Sequence, residues 1–205
     1  MNWDRAIHHI ELAAQGCARA AVLPPTLVPL RVTQLWAVGA ILGPQTDLDY
    51  VTIALGVDLP VEEVPWLSLP PAAEHWANLT GLAKNPVQRW WRSTAGPIWN
   101  HRIVRPVLIW SQATGLAETN LAAVRDGHGA DVGLSAPTAN EFAAQLAAEQ
   151  ATSLASLRDR TLDYSEHRWG RGTLEPLADA LLRASQGYLD VLAASHSERA
   201  RNGDL

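Results

Sequence analysis

The sequence predicts an α+β fold, in which a small mixed sheet with flanking helices is followed by a C-terminal helical hairpin. Three short runs rich in β-branched and aromatic residues, 31–38, 48–57 and 102–110, are separated by turn residues in the first two thirds of the chain. The last third instead repeats apolar residues at helical spacing in two long segments. We therefore expect an α+β domain over residues 1–135 and a helical segment over 136–205 that packs on it.

The elements of the first domain are predicted from local signals. Residues 2–21 form an amphipathic pattern with Asn2 as N-cap, and a short helix is expected over about 72–82. The stretch "NPVQRWWRS" (85–93) is interpreted as a further turn of helix, and "LAETNLAAVRDG" (116–127) as a short helix that ends at its glycine. The residues "HGADVGLSAP" that follow are expected to form a loop.

The C-terminal segment has a clear helix start. Thr138 and Glu141 have the spacing of a capping box, in which each side chain bonds to the other residue's backbone. Two apolar stripes follow, separated by the connection "HRWGRGT". We expect the two helices to pack antiparallel through four residues of these stripes. These residues are Leu154, Leu157, Leu181 and Tyr188.

Composition restricts the classes of function. The chain has 205 residues, of which 47% are hydrophobic and 18% charged, so it can bury a sizeable core. Its net charge is −5 and it has no basic stripe, which argues against extended nucleic-acid binding. One cysteine, Cys17, rules out an internal disulfide, and no apolar run approaches the ~20 residues of a membrane span. Asp4 and Glu11 interrupt the N-terminal segment, so we expect a cytoplasmic protein rather than a secreted one.

A pair of carboxylates suggests a binding site. Asp47 and Asp49 stand two residues apart at the head of the second predicted strand, so they project from the same face of it. Two such carboxylates can hold Mg²⁺, which prefers oxygen ligands. The turn at Gly39 just upstream lets backbone N–H groups approach a phosphate closely. The other possibility is that Asp47 caps the strand entry and Asp49 is a solvated strand residue.

This arrangement of strand, glycine turn and Asp-x-Asp resembles the nucleotidyltransferase superfamily of DNA polymerase beta over residues 30–58. The resemblance implies a small mixed sheet backed by helices, with a helical region following. It assigns Asp47 and Asp49 as catalytic, metal-binding residues, and Gly39 as a contact of the triphosphate. It also implies Mg²⁺ as the cofactor if the site is active, and a third carboxylate on a later strand. Segments such as "LWAVG", "VPWL" and "NHRIVRP" further suggest membership of an uncharacterised bacterial family.

The sequence departs from the superfamily pattern in three ways. Ala40 follows Gly39 where a serine is expected, and only six residues separate Ala40 from Asp47. The strand predicted over 102–110 has no acidic residue, and Asp58 would lie ~30 Å from Asp49 along an extended strand. We therefore expect a catalytically degenerate binding or interaction module, whose partner is a nucleotide or a protein. The alternative is an active Mg²⁺-dependent nucleotidyltransferase that modifies a small molecule, a protein or RNA.

Other polar residues give weaker signals. Arg102 and Arg105 are candidates for binding a phosphate, with the alternative that they pair with carboxylates at a strand edge. Asp126, His128 and Asp131 could ligate a metal but fit a solvated turn better. The tryptophans of 85–93 would serve equally well as a nucleotide-stacking surface or as a lid over the core.

Overall fold

The computed structural model describes residues 1–84, 86–172 and 174–202. The chain divides into two compact units. The first comprises Met1–Leu59 and Pro71–Ala136, and the second comprises Pro60–Pro70 and Pro137–Leu205. The second unit thus includes a proline-rich segment from within the range that the sequence assigns to the first domain.

The first unit is built on a five-stranded mixed sheet. Its strands are β1 (Val32–Val38), β2 (Val51–Val57), β3 (Val87–Ser93), β4 (Val107–Ser111) and β5 (Gly115–Leu116). Their order in the sheet is β3-β2-β1-β4-β5. β1 is antiparallel to β2 and to β4, β2 is parallel to β3, and β4 is antiparallel to β5. The α+β class and the mixed sheet predicted from the sequence are confirmed.

Three helices accompany this sheet: α1 (Trp3–Ala21), α2 (Ala73–Thr80) and α3 (Glu118–Arg125). The Asn2 side chain accepts a hydrogen bond of 3.0 Å from the backbone N–H of Arg5, which confirms it as the N-cap of α1. α1 packs against the central strands through an apolar face that includes Ile10, which is fully buried. α2 is shorter than predicted because Ala72 and Gly81, which flank it, both have positive φ values.

The prediction of a helical turn over 85–93 is wrong, since Val87–Ser93 forms β3; Asn85 itself lies outside the described residues. β3 pairs with β2 over seven residues, and this non-local pairing overrides the local helical signal. Two other strands begin later than expected, β2 at Val51 and β4 at Val107. β4 starts late because Arg105 has φ +45° and Pro106 lacks an N–H to donate to the sheet. The expected loop after α3 contains a short 3₁₀ turn, Gly129–Val132.

The second unit contains the predicted helical pair, α4 (Ala139–His167) and α5 (Leu174–Asn202). The capping box is present: the Thr138 hydroxyl accepts from the Glu141 N–H, and the Glu141 carboxylate accepts from the Thr138 N–H. These hydrogen bonds lower the pKa of Glu141. The helices pack against each other, and the Ser195 hydroxyl donates to Oε1 of Gln150 at 3.1 Å. Because Gln150 is far from the end of α4 and Ser195 far from the start of α5, this bond requires an antiparallel pair.

The segment Pro60–Pro70 lies against both helices of this pair. Trp66 is 3% exposed, and its Nε1 donates to Oδ2 of Asp190 on α5 at 2.8 Å. Gly187, one turn earlier, allows the backbone of Trp66 to approach the helix closely. Among the described residues, no helix is both long enough and apolar enough to cross a membrane.

Candidate functional site

The topology of the first unit brings most of the candidate site residues to one end of the sheet. Val38 at the end of β1 pairs with Thr52 near the start of β2, and Ala37 pairs with Val107 at the start of β4. Gly39 directly follows β1, Asp49 precedes β2 by two residues, and Arg105 precedes β4 by two residues. Since β2, β1 and β4 are neighbours in the sheet, these residues belong to adjacent connections at the same sheet end.

Gly39 adopts the left-handed conformation, with φ +77°. A Cβ built on it would meet nothing within 4 Å, so the backbone conformation rather than crowding explains the glycine. Gly39 begins a 3₁₀ turn, Gly39–Leu42, and the chain then continues without an α-helix to β2. The connection between β1 and β2 therefore contains a single 3₁₀ turn and no α-helix, whereas the sequence resemblance would imply a triphosphate-binding helix there.

Asp47 and Asp49 are both exposed and flank Leu48, which is 7% exposed. Two hydrogen bonds fix the backbone of Leu48: its N–H donates to the carbonyl of Met1 at 2.9 Å, and its carbonyl accepts from the amino group of Met1 at 2.7 Å. The alternation of exposed, buried and exposed residues turns the two carboxylates towards solvent together. Both lie in the irregular segment before β2, whereas the sequence placed Asp49 within a strand over 48–57.

No third carboxylate comes from either strand that borders β2, since neither β1 nor β3 contains an Asp or a Glu. The sequence placed the later strand of the superfamily at 102–110, but the strand parallel to β2 is β3, which has no acidic residue and carries Arg89 and Arg92. Asp58 follows the last residue of β2 and so lies at the opposite end of that strand from Asp49. Within residues 1–84, 86–172 and 174–202, no group of three or more His, Cys, Asp or Glu side chains could hold a metal ion.

Arg105 is fixed at the sheet end by its backbone more than by its side chain. Its φ of +45° is unusual for a non-glycine residue, and its carbonyl oxygen would lie under 3.0 Å from any Cβ placed on Gly133. The segment after Gly133 is hydrogen-bonded to the residue that follows Arg105: the N–H of Leu134 donates to the carbonyl of Pro106 at 3.0 Å. The Arg105 Nε donates weakly to the carbonyl of Leu134 at 3.4 Å. The guanidinium remains on an exposed residue, available to an anion.

Arg102 lies three residues earlier, in a turn held by Asn100. The Asn100 side-chain oxygen accepts from the N–H groups of Arg102 and Ile103, at 2.9 and 2.8 Å, and the Asn100 N–H donates to the carbonyl of Ile103. Asn100 is 3% exposed whereas Arg102 is exposed. This role of Asn100 was not identified from the sequence. An Asn side chain that accepts a hydrogen bond from the backbone N–H two residues later is nevertheless a known turn signal.

The remaining polar candidates are distributed elsewhere. His128 and Asp131 are highly exposed and approach each other at 3.8 Å, as expected of a solvated turn.

Trp91 is buried and contacts Trp76 edge to face, with ring centroids 5.7 Å apart. For Trp91, therefore, a place in the core is the correct one of the two interpretations offered for residues 85–93.

His9 on α1 is a second feature that sequence reasoning did not resolve. It is 6% exposed, and neither ring nitrogen has a hydrogen-bond partner within the described part of the chain. Burial first, and then the nearby charges of Arg5 and His8, lower its pKa. A buried histidine in this state favours its neutral form. His9 belongs to the buried face of α1 and not to the residues gathered at the sheet end.

The profile of a family described as "Domain of unknown function (DUF7711)" matches residues 1–197. The chain therefore belongs to this family. No curated protein and no solved structure matches it.

Proposed function

We propose that this DUF7711 chain is a nucleotidyltransferase-like binding module, which binds a nucleotide polyphosphate with Mg²⁺ but does not transfer the nucleotidyl group. One observation carries the proposal: the connections around β1, β2 and β4 bring Gly39, the Asp47–Asp49 pair and Arg105 to one sheet end. The mixed sheet with helices, followed by a helical pair, also agrees with what the sequence resemblance implies for the fold.

The chemistry of these groups suits a phosphate ligand. Two exposed carboxylates are oxygen donors of the kind that Mg²⁺ prefers, and they leave most coordination positions to water and phosphate oxygens. The open left-handed turn at Gly39 allows a phosphate to approach the backbone. The guanidinium of Arg105 can then donate two hydrogen bonds to a phosphate. The phosphate in turn brings negative charge to the Mg²⁺, in addition to that of the two carboxylates.

The same geometry argues against catalysis. Transfer through two metal ions requires enough negative charge to hold both ions near the reacting phosphate. Neither strand beside β2, β1 or β3, contains a carboxylate, so the pair Asp47 and Asp49 would have to hold both ions alone. We therefore expect weak Mg²⁺-dependent binding and no product.

The test is a titration of ATP into the protein with and without Mg²⁺, followed by tryptophan fluorescence and by calorimetry. We expect saturable Mg²⁺-dependent binding that is lost in Asp49→Asn. The matched control is Asp58→Asn, which changes a carboxylate at the other end of β2 and should leave binding intact. Because Asp49 is exposed, its substitution should change the free energy of unfolding by less than about 0.5 kcal/mol.

Incubation with radiolabelled ATP separates binding from transfer. Label attached to the protein or to an added acceptor, and abolished by Asp49→Asn, would show an active nucleotidyltransferase and would refute the catalytic part of the proposal. No Mg²⁺-dependent binding at millimolar ATP, or equal binding by the Asp49→Asn and Asp58→Asn variants, would refute the binding site itself.

A further inference from the structure

The helical pair of the second unit has an exposed side on which leucines and alanines predominate, with Arg158 as a charged residue among them. Three leucines of α5, Leu174, Leu182 and Leu189, are 53%, 56% and 60% exposed. At 3.6 residues per turn they fall within about 80° of one another around the helix axis, so they form a stripe. On α4, Leu162 is 58% exposed, and Ala147 and Ala151 are exposed as well.

These residues share one side of the antiparallel pair. The bond between Gln150 and Ser195 fixes which sides of the two helices face each other. Measured around each helix from that contact, the alanines and Leu162 of α4 and the leucines of α5 come to the same side. We call this the outer hairpin face, formed by Ala147, Ala151, Leu162, Leu174, Leu182 and Leu189.

The opposite side of the pair is already covered. The segment Pro60–Pro70 contacts α4, and Trp66 packs on α5 at Gly187 and Asp190. Gly187 is roughly 150° around the axis from the leucine stripe. The hairpin thus buries one side within its own unit and leaves its outer hairpin face without a cover.

We propose that the outer hairpin face binds a second copy of the chain, so that two helical pairs form a four-helix arrangement about a two-fold axis. Two helices of 29 residues are about 43 Å long and together about 20 Å wide. Their face therefore offers an area of roughly 800 Å², which is about what each partner contributes to a stable interface of standard size.

Charge and shape both favour a second copy over a different partner. Residues 137–202 contain nine acidic and seven basic side chains, so two copies of the hairpin would repel each other little. The net charge of −5 disfavours an anionic lipid surface as the occupant. With a two-fold axis parallel to the helices, the register set by Gln150 and Ser195 brings Leu182 of one copy level with Leu162 of the partner subunit, so leucine packs on leucine across the interface.

The test is the molar mass of the full chain, measured by light scattering after gel filtration and by sedimentation equilibrium, from about 1 to 500 µM. We expect the mass to rise to that of a dimer within this range. The double variant Leu182→Glu/Leu189→Glu should stay monomeric. Leu27→Glu, which changes a leucine 58% exposed in the first unit, is the matched control and should dimerise like the native chain.

A second variant tests the other half of the face. Ala147→Arg/Ala151→Arg keeps good helix formers on exposed positions of α4, and circular dichroism verifies that each variant is folded. It too should abolish the dimer. A chain that is monomeric up to the highest concentration, or one whose dimer survives either pair of substitutions, would overturn the proposal. Binding of the monomer to anionic vesicles, lost with the leucines, would assign the face to a membrane instead. This inference does not depend on the nucleotide site.

Discussion

Replacing Gly187 with alanine tests how the Pro60–Pro70 segment packs on α5. At an exposed helical position alanine is more favourable than glycine by about 1 kcal/mol, because glycine loses more backbone entropy on folding. Gly187 is buried within a 29-residue helix. A Cβ added there would lie under 3.0 Å from the carbonyl oxygen of Trp66 and 3.7 Å from Cβ of Leu67.

The clash outweighs the gain in helix propensity. The obstructing atom belongs to the backbone, so it cannot rotate away as a side chain could. The segment would have to move by roughly 1 Å in a tightly packed region, and such overpacking costs about 1–3 kcal/mol. The same movement would weaken the hydrogen bond of 2.8 Å between Trp66 and the Asp190 carboxylate. The weakened hydrogen bond adds about 0.5–1.5 kcal/mol, so after the propensity gain of about 1 kcal/mol is subtracted we expect a net loss of about 0.5–3.5 kcal/mol.

The loss is measured as a shift of the urea midpoint, followed by circular dichroism and by tryptophan fluorescence. Ala193→Gly is the matched control, because it makes the reverse change at an exposed position of the same helix and should cost about 1 kcal/mol. If Gly187→Ala left the midpoint unchanged or raised it, the Trp66 segment would not be seated on α5 as described.

Two further predictions concern the second unit and α1. Leu181→Ala should cost roughly 1–3 kcal/mol, less than for a fully buried leucine because Leu181 is half-buried, and an unchanged melting temperature would contradict the predicted packing of Leu181 between the two helices. His9→Leu should remove a pH dependence. Because burial lowers the pKa of His9, the unfolded chain binds its proton first, and stability falls as the pH drops below about 6.5. The variant should lose part of this acid destabilisation, and exposed His8→Gln should not; identical pH profiles for both variants would refute the account.

The elements that the sequence predicted well are those specified by neighbouring residues. The N-cap at Asn2 and the capping box at Thr138 and Glu141 each satisfy backbone groups within one turn of helix, so the pattern determines the structure. β1 was expected over 31–38 and forms at Val32–Val38, since a short β-rich run bounded by turn residues leaves few alternatives.

β3 could not be predicted in this way. Its sequence alternates apolar with polar or charged residues only in part, and its helical interpretation relied on local propensity. What makes it a strand is the parallel partner β2, which lies more than thirty residues earlier, with α2 in the connection. The boundary between the units had the same limitation: the contact of Trp66 with Asp190 joins residues 124 positions apart and is invisible to any local pattern.

The candidate site depends both on local sequence patterns and on the non-local pairing of strands. The Asp-x-Asp pair and the glycine turn are local features, which both lie in the connection between β1 and β2. Which strands border β2 depends on the pairing of the whole sheet. The sequence considered the strand at 102–110 as the source of a third carboxylate, but that strand does not border β2. β2 lies between β1 and β3, and neither Val32–Val38 nor Val87–Ser93 contains an Asp or a Glu. A third carboxylate ligand would therefore have to come from a connection, and the described connections bring no third acidic or histidine side chain to the pair. This topology is the argument against transfer on which the proposed function rests.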